Sequence, residues 1–149
     1  MIKQASENDL NEILAKSDNA LYEGTVKTFK PTQKRVKEII QTTLEQGAYY
    51  LVLKDNDNLN DDLKGWILIG SGKDYFSQES VGFIYELYVL PEYRGQKLSK
   101  KLMKAGLDEL SLKGHKEIRL NVHAMNFARE LYKEFGFVDR QISMSLTYK

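Results

Sequence analysis

The chain has 149 residues, with 22 Lys and Arg, 21 Asp and Glu, and no Cys. This length accommodates one hydrophobic core, so we expect a single domain over residues 1–149. The lack of Cys excludes disulfide scaffolds, thiolate metal sites and Cys nucleophiles. The formal charge of +1 argues against a dedicated nucleic-acid-binding protein. Neither a membrane span nor an apolar signal core is present in the sequence, so we expect a cytoplasmic protein.

The first third of the sequence predicts a short strand followed by two helices. Residues 2–5 have strand character, and a capping-box pattern then opens a helix over residues 7–17. Residues 18–30 have no clear period. An apolar stripe at three- and four-residue spacing predicts a second helix over residues 33–46.

The middle of the sequence predicts three strands, over residues 48–54, 63–70 and 81–90. The acidic, Asn-rich residues 55–62 look like a calcium loop, but they lack the Gly at its sixth position and the Glu at its twelfth. We therefore interpret them as a solvated turn. Residues 71–80 are predicted to be a polar loop.

The last third predicts a helix over residues 97–113, a strand over residues 117–123 and a helix over residues 126–135. Residues 137–148 predict one or two final strands. This order of elements indicates an α/β or α+β fold with a mixed sheet.

Glu86 interrupts the otherwise apolar strand of residues 81–90. A carboxylate in a buried strand is costly unless it has a partner or a function. Burial also raises the pKa of a carboxyl group toward the range that suits a general base. The alternative is a structural Glu that faces a groove or pairs with a Lys.

Residues 94–99 leave a strand and open a helix, an arrangement that favours anion binding. The backbone N–H groups at a helix start point outward, and the helix dipole attracts negative charge. Arg94 and Lys97 add positive charge and Ser99 adds a hydroxyl donor, which suits a phosphate or pyrophosphate. The alternative is an ordinary turn between a strand and a helix.

The helix near the end of the chain carries two further candidates, Asn126 and Tyr132. Phe127, Leu131 and Phe135 are predicted to form its buried stripe. Tyr132 lies beside that stripe and is placed to face a groove. Alternatively, Tyr132 is a boundary residue and Asn126 a helix cap.

Taken in order, these segments resemble the GNAT superfamily of N-acetyltransferases, which use acetyl-CoA. The resemblance rests on Glu-Leu-Tyr-Val at residues 86–89 and on Pro-Glu-Tyr-Arg-Gly at residues 91–95. It continues with Asn, Ala, Leu-Tyr and Gly-Phe within residues 126–137. Two such motifs in this order are more specific than either one alone.

The loop that binds pyrophosphate in this superfamily usually has Gly where Lys97 stands, and Gly or Ala where Ser99 stands. Glycine is favoured where the backbone approaches a ligand or adopts a positive φ. Lys97 keeps its backbone N–H, and a helical conformation at this residue would not need Gly. We therefore expect a helical Lys97.

The resemblance implies a mixed, mostly antiparallel sheet of six to seven strands, flanked by about four helices. It implies transfer of an acetyl group from acetyl-CoA to a primary amine in a ternary complex, without a metal. It assigns the general base to Glu86 and the general acid to Tyr132. The residues implied in binding acetyl-CoA are Leu87, Tyr88, Val89, Arg94, Gly95, Gln96, Lys97, Leu98, Ser99, Asn126 and Tyr132.

The acceptor is not identified by the sequence and is either a small-molecule amine or an amine of a peptide or protein. Tyr22, Phe29, Tyr75 and Phe76 are candidates for lining its pocket. His123 is an alternative base, although a structural role is favoured. By resemblance alone, a homodimer through the C-terminal strands is also implied, whereas neither nucleic acid nor membrane is an expected partner.

Two other functions remain open. One is an acetyl-CoA-binding sensor or interaction module with the same fold and no catalysis, which the departure at Lys97 permits. The other is a wider acyltransferase that accepts a longer acyl group or a protein N-terminus.

Overall fold

The computed structural model describes residues 1–55 and 62–149, so most of the predicted turn at residues 55–62 lies outside the described residues. One sheet contains five strands: β1 (Ile2–Gln4), β2 (Tyr49–Lys54), β3 (Leu63–Lys73), β4 (Ser80–Val89) and β5 (Ile118–Leu120). The helices are α1 (Glu7–Gly24), α2 (Gln33–Glu45), α3 (Leu98–Leu112) and α4 (Ala128–Glu134). A single 3-10 turn at Pro91–Tyr93 follows β4.

The strands lie side by side in chain order, from β1 to β5. The first three pairings are antiparallel, and β4 pairs with β5 in parallel. The crossover that parallel pairing requires is supplied by α3. The predicted class, a mixed and mostly antiparallel sheet with four helices, is therefore confirmed.

Helices cover both faces of the sheet and bury a core on each. The core under α1 and α2 includes Ile13, Val36, Trp66, Leu68 and Tyr88. The core under α3 includes Ile67, Ile69, Ile84, Leu102 and Leu110.

Helix α1 begins where the sequence predicts, but it is seven residues longer than expected and ends at Gly24. The added turns bury Ala20 against the sheet. Ser17 is also buried, and its hydroxyl donates to the Ile13 carbonyl at 2.7 Å. The buried face of these turns consists of small side chains, which do not appear in a pattern of periodic large hydrophobic residues.

A β-bulge in β4 decides which face of the sheet carries Glu86. Leu68 of β3 pairs with Glu86, whereas the next residue, Ile69, pairs with Ile84, so Tyr85 is an extra residue. Before the bulge, Ile84 packs on the α3 side. After the bulge, it is the odd-numbered residues of β4 that pack on that side. Glu86 therefore shares the α1 and α2 face with its partner Leu68.

The final strand or hairpin predicted in residues 137–148 is wrong. None of these residues pairs in the sheet, so the described part of the chain has five strands rather than six or seven. A strand is stable only with a ladder partner, and the start of this segment is held instead by ion pairs from Arg129 to Asp139 and from Arg140 to Asp74.

None of the helices formed by residues 1–55 and 62–149 is both long and apolar enough to cross a membrane.

Candidate active site

Strands β4 and β5 separate soon after they meet. Their pairing covers Gly82 to Ile84 on β4 and all of β5, while β4 continues to Val89. The Leu90 N–H donates to the Lys64 carbonyl of β3 at 2.9 Å. Because backbone groups alternate in direction along a strand, those of Leu87 and Val89 face the gap beside β5.

The loop before α3 has two residues in left-handed backbone conformations. Gly95 has a φ of +86° and Lys97 a φ of +61°. Lys97 is the N-cap of α3, and no side chain caps this helix start. The expected helical conformation at Lys97 is wrong, because the chain must reverse here before Leu98 begins the helix.

The N–H groups of the first turn of α3 form the positive pole of the helix dipole. Leu98 offers only its backbone there, since its side chain is buried in the α3 core. The Ser99 side chain is half-buried, while Gln96 and Lys97 are exposed. This arrangement suits a phosphate or pyrophosphate group.

Arg94 connects this loop to the end of α1. Its Nε donates to the Val89 carbonyl at 2.9 Å, and its Nη2 lies 2.7 Å from Glu23 Oε2. The guanidinium also stands 5.3 Å from the centre of the Tyr88 ring. A bound phosphate would therefore compete with Glu23 for this cation.

Asn126 lies at the other side of the gap and also contacts the end of α1. Its Nδ2 donates to the Gly24 carbonyl at 3.1 Å, and its Oδ1 accepts from the Ala128 N–H at 2.9 Å. The second bond lies at the start of α4, whose N-cap residue is Phe127 rather than Asn126. The superfamily pattern has two residues between this Asn and the Ala, whereas only Phe127 separates them here, so that part of the match is displaced by one residue.

Tyr132 of α4 packs against the α3 core, with its ring 6.1 Å from that of Phe137. Burial raises the pKa of its hydroxyl, so Tyr132 stays protonated at neutral pH. The predicted stripe on this helix is wrong at Phe127, whose side chain is 85% exposed because it precedes the helix. Leu131 and Phe135 are half-buried.

Glu86 has the electrostatics of a general base. Burial raises the pKa of its carboxyl to about 7, while the Trp66 indole N–H opposes this rise. The Glu86 Oε1 atom is buried without a hydrogen-bond partner among the described residues. At pH 7 such a group is about half ionised, so it can accept a proton and release it again.

The other candidates from the sequence either lie away from this gap or form hydrogen bonds with the backbone. Tyr75 and Phe76 are exposed at the tip between β3 and β4. That tip meets the end of α3, where His115 binds Ser71 at 2.6 Å, about 22 Å from the loop at the other end of the helix. His123 is exposed, and its Nδ1 accepts from the Met125 N–H at 3.1 Å.

Four residues of the site escaped the sequence analysis. Glu23 and Gly24 contact Arg94 and Asn126 only because α1 is longer than its pattern indicates. Tyr50 and Trp66 lie in apolar strands and look like ordinary core residues. Their chemistry became visible only through the register that places them near Glu86.

Comparisons with known proteins agree with this geometry. A family model described as an acetyltransferase (GNAT) domain matches residues 8–144. A thialysine N-epsilon-acetyltransferase from Bos taurus is 28% identical over 145 residues, which cover 93% of this chain and 84% of that protein.

Two solved structures have the same fold. A putative acetyl transferase from Pyrococcus furiosus superposes with a TM-score of 0.84 at 22% identity, covering 99% of both chains. A predicted acetyltransferase from Clostridium acetobutylicum, solved with acetyl-CoA, gives a TM-score of 0.74 at 16% identity and covers 99% of this chain and 95% of its own. From the family match, the fold and the open gap beside β4, the chain belongs to the GNAT family of acetyltransferases, enzymes that transfer an acetyl group to nitrogen.

Proposed function

We propose that this protein is one N-acetyltransferase domain that transfers the acetyl group of acetyl-CoA directly to a primary amine. The observation that carries the proposal is the Glu86 carboxyl, whose Oε1 atom is buried and has no hydrogen-bond partner among the described residues. Its raised pKa of about 7 suits a base that works at neutral pH. A buried carboxylate oxygen is costly unless it is paired or has a function.

The residues around the gap fit acetyl-CoA as a co-substrate. The uncapped start of α3, with the N–H groups of residues 94–99, would hold the pyrophosphate. The backbone groups of Leu87 and Val89 would bind the pantetheine, and Asn126 would keep α4 in place. Arg94 would exchange its bond to Glu23 for a phosphate oxygen.

In the proposed reaction the amine nitrogen attacks the thioester carbon and the carbon–sulfur bond breaks. Glu86 takes the proton that the ammonium nitrogen loses before the attack, either directly or through water, and the proton that the nitrogen loses after the attack restores the Tyr132 hydroxyl. The Leu87 N–H would stabilise the charge that develops on the carbonyl oxygen, and Tyr132 would protonate the departing CoA thiolate. A primary amine must lose a proton before it attacks, because its pKa is near ~10.

For the acceptor we propose an aliphatic primary amine on a flexible chain. The relative from Bos taurus is named for thialysine, whose N-epsilon group is such an amine. A small molecule and a lysine side chain of a peptide both satisfy this chemistry. Tyr22, half-buried near the end of α1, is placed to contact the acceptor.

We propose that the protein is located in the cytoplasm. We also propose that its partner is a second copy of the same chain. The C-terminal segment is apolar at alternate residues, and these side chains are exposed: Ile142, Met144, Leu146 and Tyr148. A period of two is that of a strand with one buried face, and β5 is an edge of the described sheet. The same segment of a second copy would supply the missing partner.

The test is a thiol-release assay with acetyl-CoA and a panel of amines that includes thialysine, lysine peptides and polyamines. We expect turnover with an acidic limb near pH 7. The Glu86→Gln variant should lose that limb and about 100-fold in kcat/KM. If the variant keeps the limb, Glu86 is not the base.

Calorimetry with acetyl-CoA separates this proposal from the sensor alternative. A sensor would bind acetyl-CoA and release no thiol with any amine of the panel. Tyr132→Phe should lower kcat and leave the Kd of acetyl-CoA unchanged. If no binding is detected at millimolar acetyl-CoA, both the transferase and the sensor functions are contradicted.

A further inference from the structure

Three polar atoms are buried without a partner among the described residues, and all three belong to one face of the sheet. They are the Tyr50 hydroxyl, the Trp66 Nε1 and the Glu86 Oε1. Tyr50 is 2% exposed and Trp66 is fully buried. Such atoms are rare in folded proteins, so a group of three calls for a common explanation.

The strand register brings these side chains together. Tyr50 of β2 pairs with Leu68 of β3, and Leu68 pairs with Glu86 of β4. Trp66 precedes Leu68 by two residues and therefore shares its face. The bulge at Tyr85 places Glu86 in this row, because a regular strand would turn its side chain toward α3.

The neighbouring positions set by the strand register also affect the pKa values of these groups. Burial, and to a smaller extent the Glu86 charge, raises the pKa of the Tyr50 hydroxyl, which therefore stays protonated at neutral pH. The Trp66 N–H lowers the pKa of Glu86 against the effect of burial. The row thus has two fixed donors beside one carboxylate.

Two acidic side chains that α1 contributes to this face are already paired. Glu23 of α1 pairs with Arg94 beside Tyr88. Asp9 of α1 lies 2.5 Å from Lys54 at the far end of β2. Helix α2 contributes buried apolar residues to this face. Among the buried polar atoms of this face that have no partner, the two donors are therefore the Tyr50 hydroxyl and the Trp66 N–H.

We propose that Tyr50 and Trp66 are positioning residues that hold the Glu86 carboxylate, through one bound water, in the orientation that accepts the acceptor's proton. A buried water typically makes about three hydrogen bonds, and these three side chains supply that number of polar atoms. The water accepts from Tyr50 and Trp66 and donates to Glu86. This inference rests on the proposed function, which makes Glu86 the base.

Tyr50→Phe is the decisive variant, because it removes one oxygen and keeps the ring that packs in the core. Tyr49→Phe is its matched control. Tyr49 is the preceding residue on the opposite face, and its hydroxyl donates to Glu109 at 2.5 Å. Both variants lose one tyrosine hydroxyl, but only Tyr50 faces Glu86.

The Glu86 carboxyl is titrated by carbon-13 NMR in the protein without substrates, with the signal assigned by Glu86→Gln. Loss of a donor disfavours the carboxylate, so Tyr50→Phe should raise the pKa of Glu86 by about 0.5 to 1 unit. Trp66→Phe should shift it in the same direction. Tyr49→Phe should leave the titration of Glu86 where it is in the wild type.

The same variants are then assayed for acetyl transfer. Tyr50→Phe should move the acidic limb of kcat upward by the same amount and lower kcat about tenfold, with the KM of acetyl-CoA unchanged. A Tyr50→Phe protein with the wild-type titration and acidic limb overturns the inference. A wild type without turnover on any amine overturns the proposed function instead, and the NMR titration still decides whether Tyr50 and Trp66 hold Glu86.

Discussion

Lys97 adopts a backbone conformation that suits glycine. A non-glycine residue in the left-handed region pays roughly 1–2 kcal/mol, and Lys97 has a φ of +61°. The superfamily usually has Gly at this position of the loop. The structure gives the physical reason: the loop must reverse directly before the first turn of α3.

We expect Lys97→Gly to raise the free energy of unfolding by about 0.5–1 kcal/mol. The relief of strain exceeds the entropy that glycine adds to the unfolded chain. Urea denaturation measures the change. Lys97→Ala is the control, because it removes the same side chain and keeps the strain. An equal gain in both variants would place the effect in the lysine side chain.

Glu86 lowers stability where it is ionised. Its folded pKa of about 7 lies above the ordinary 4.5, so the folded state holds the proton more tightly than the unfolded state. The free energy of unfolding therefore falls as the pH rises from about 4.5 to above 7. This loss is the cost of burying a carboxyl group in an apolar face.

Glu86→Gln should consequently be more stable than the wild type at pH 8, by up to about 3 kcal/mol. The difference should shrink toward zero as the pH falls to about 4.5. Thermal or urea unfolding at pH 5 and pH 8 checks both statements. A difference that does not depend on pH would mean that the pKa of Glu86 is not raised.

At the scale of elements, β3 lies very close to the end of β4 that borders the gap between β4 and β5, and this contact keeps that end in place. A Cβ added at Gly65 would stand 2.6 Å from the Tyr88 carbonyl oxygen and 3.2 Å from the Val89 Cα. These are backbone atoms, which cannot rotate away. Gly72 lies in the same strand, and an added Cβ there would meet nothing within 4 Å.

We expect Gly65→Ala to destabilise the protein by about 1–3 kcal/mol and to weaken acetyl-CoA binding, because it displaces Val89. Gly72→Ala should change stability by less than about 0.5 kcal/mol. Denaturant unfolding and calorimetry measure the two effects. Equal losses in both variants would show that strand propensity, rather than the contact with β4, is responsible.

At the scale of the whole molecule, the apolar side chains of the C-terminal segment lack a cover within the described residues. Met144 and Leu146 are 89% and 79% exposed. Exposed apolar patches of this kind mark interaction surfaces. Because these side chains contribute little to the core of one copy, they can be changed without unfolding it.

We expect Met144→Lys to weaken self-association at least about tenfold while leaving the melting temperature of the monomer unchanged. Analytical ultracentrifugation over a range of concentrations measures the association. The control is Leu112→Lys at the end of α3, where the side chain is 87% exposed. A wild type that stays monomeric at high concentration would refute the proposed homodimer.

The patterns of the sequence were sufficient for the elements that have a strong period or a clear cap. Helix α2, strand β2 and the start of α1 were predicted to within a residue or two. The last turns of α1, which bury small residues, have no such signal and are absent from the prediction. Strand β5 lies within the predicted residues 117–123 but is only three residues long. The prediction of C-terminal strands was wrong, because a period of two indicates that one face is buried but does not identify the segment that buries it.

By itself the sequence determined the fold class and the residues with reactive groups, since periodicity, capping and residue type are local properties, and its motifs indicated the family by resemblance. Only the tertiary structure decided what surrounds those groups. The bulge at Tyr85 turned Glu86 to the face of Tyr50 and Trp66, and the length of α1 brought Glu23 to Arg94. Strand register and contacts between distant segments depend on the whole chain, and burial, which sets the pKa of Glu86, depends on them.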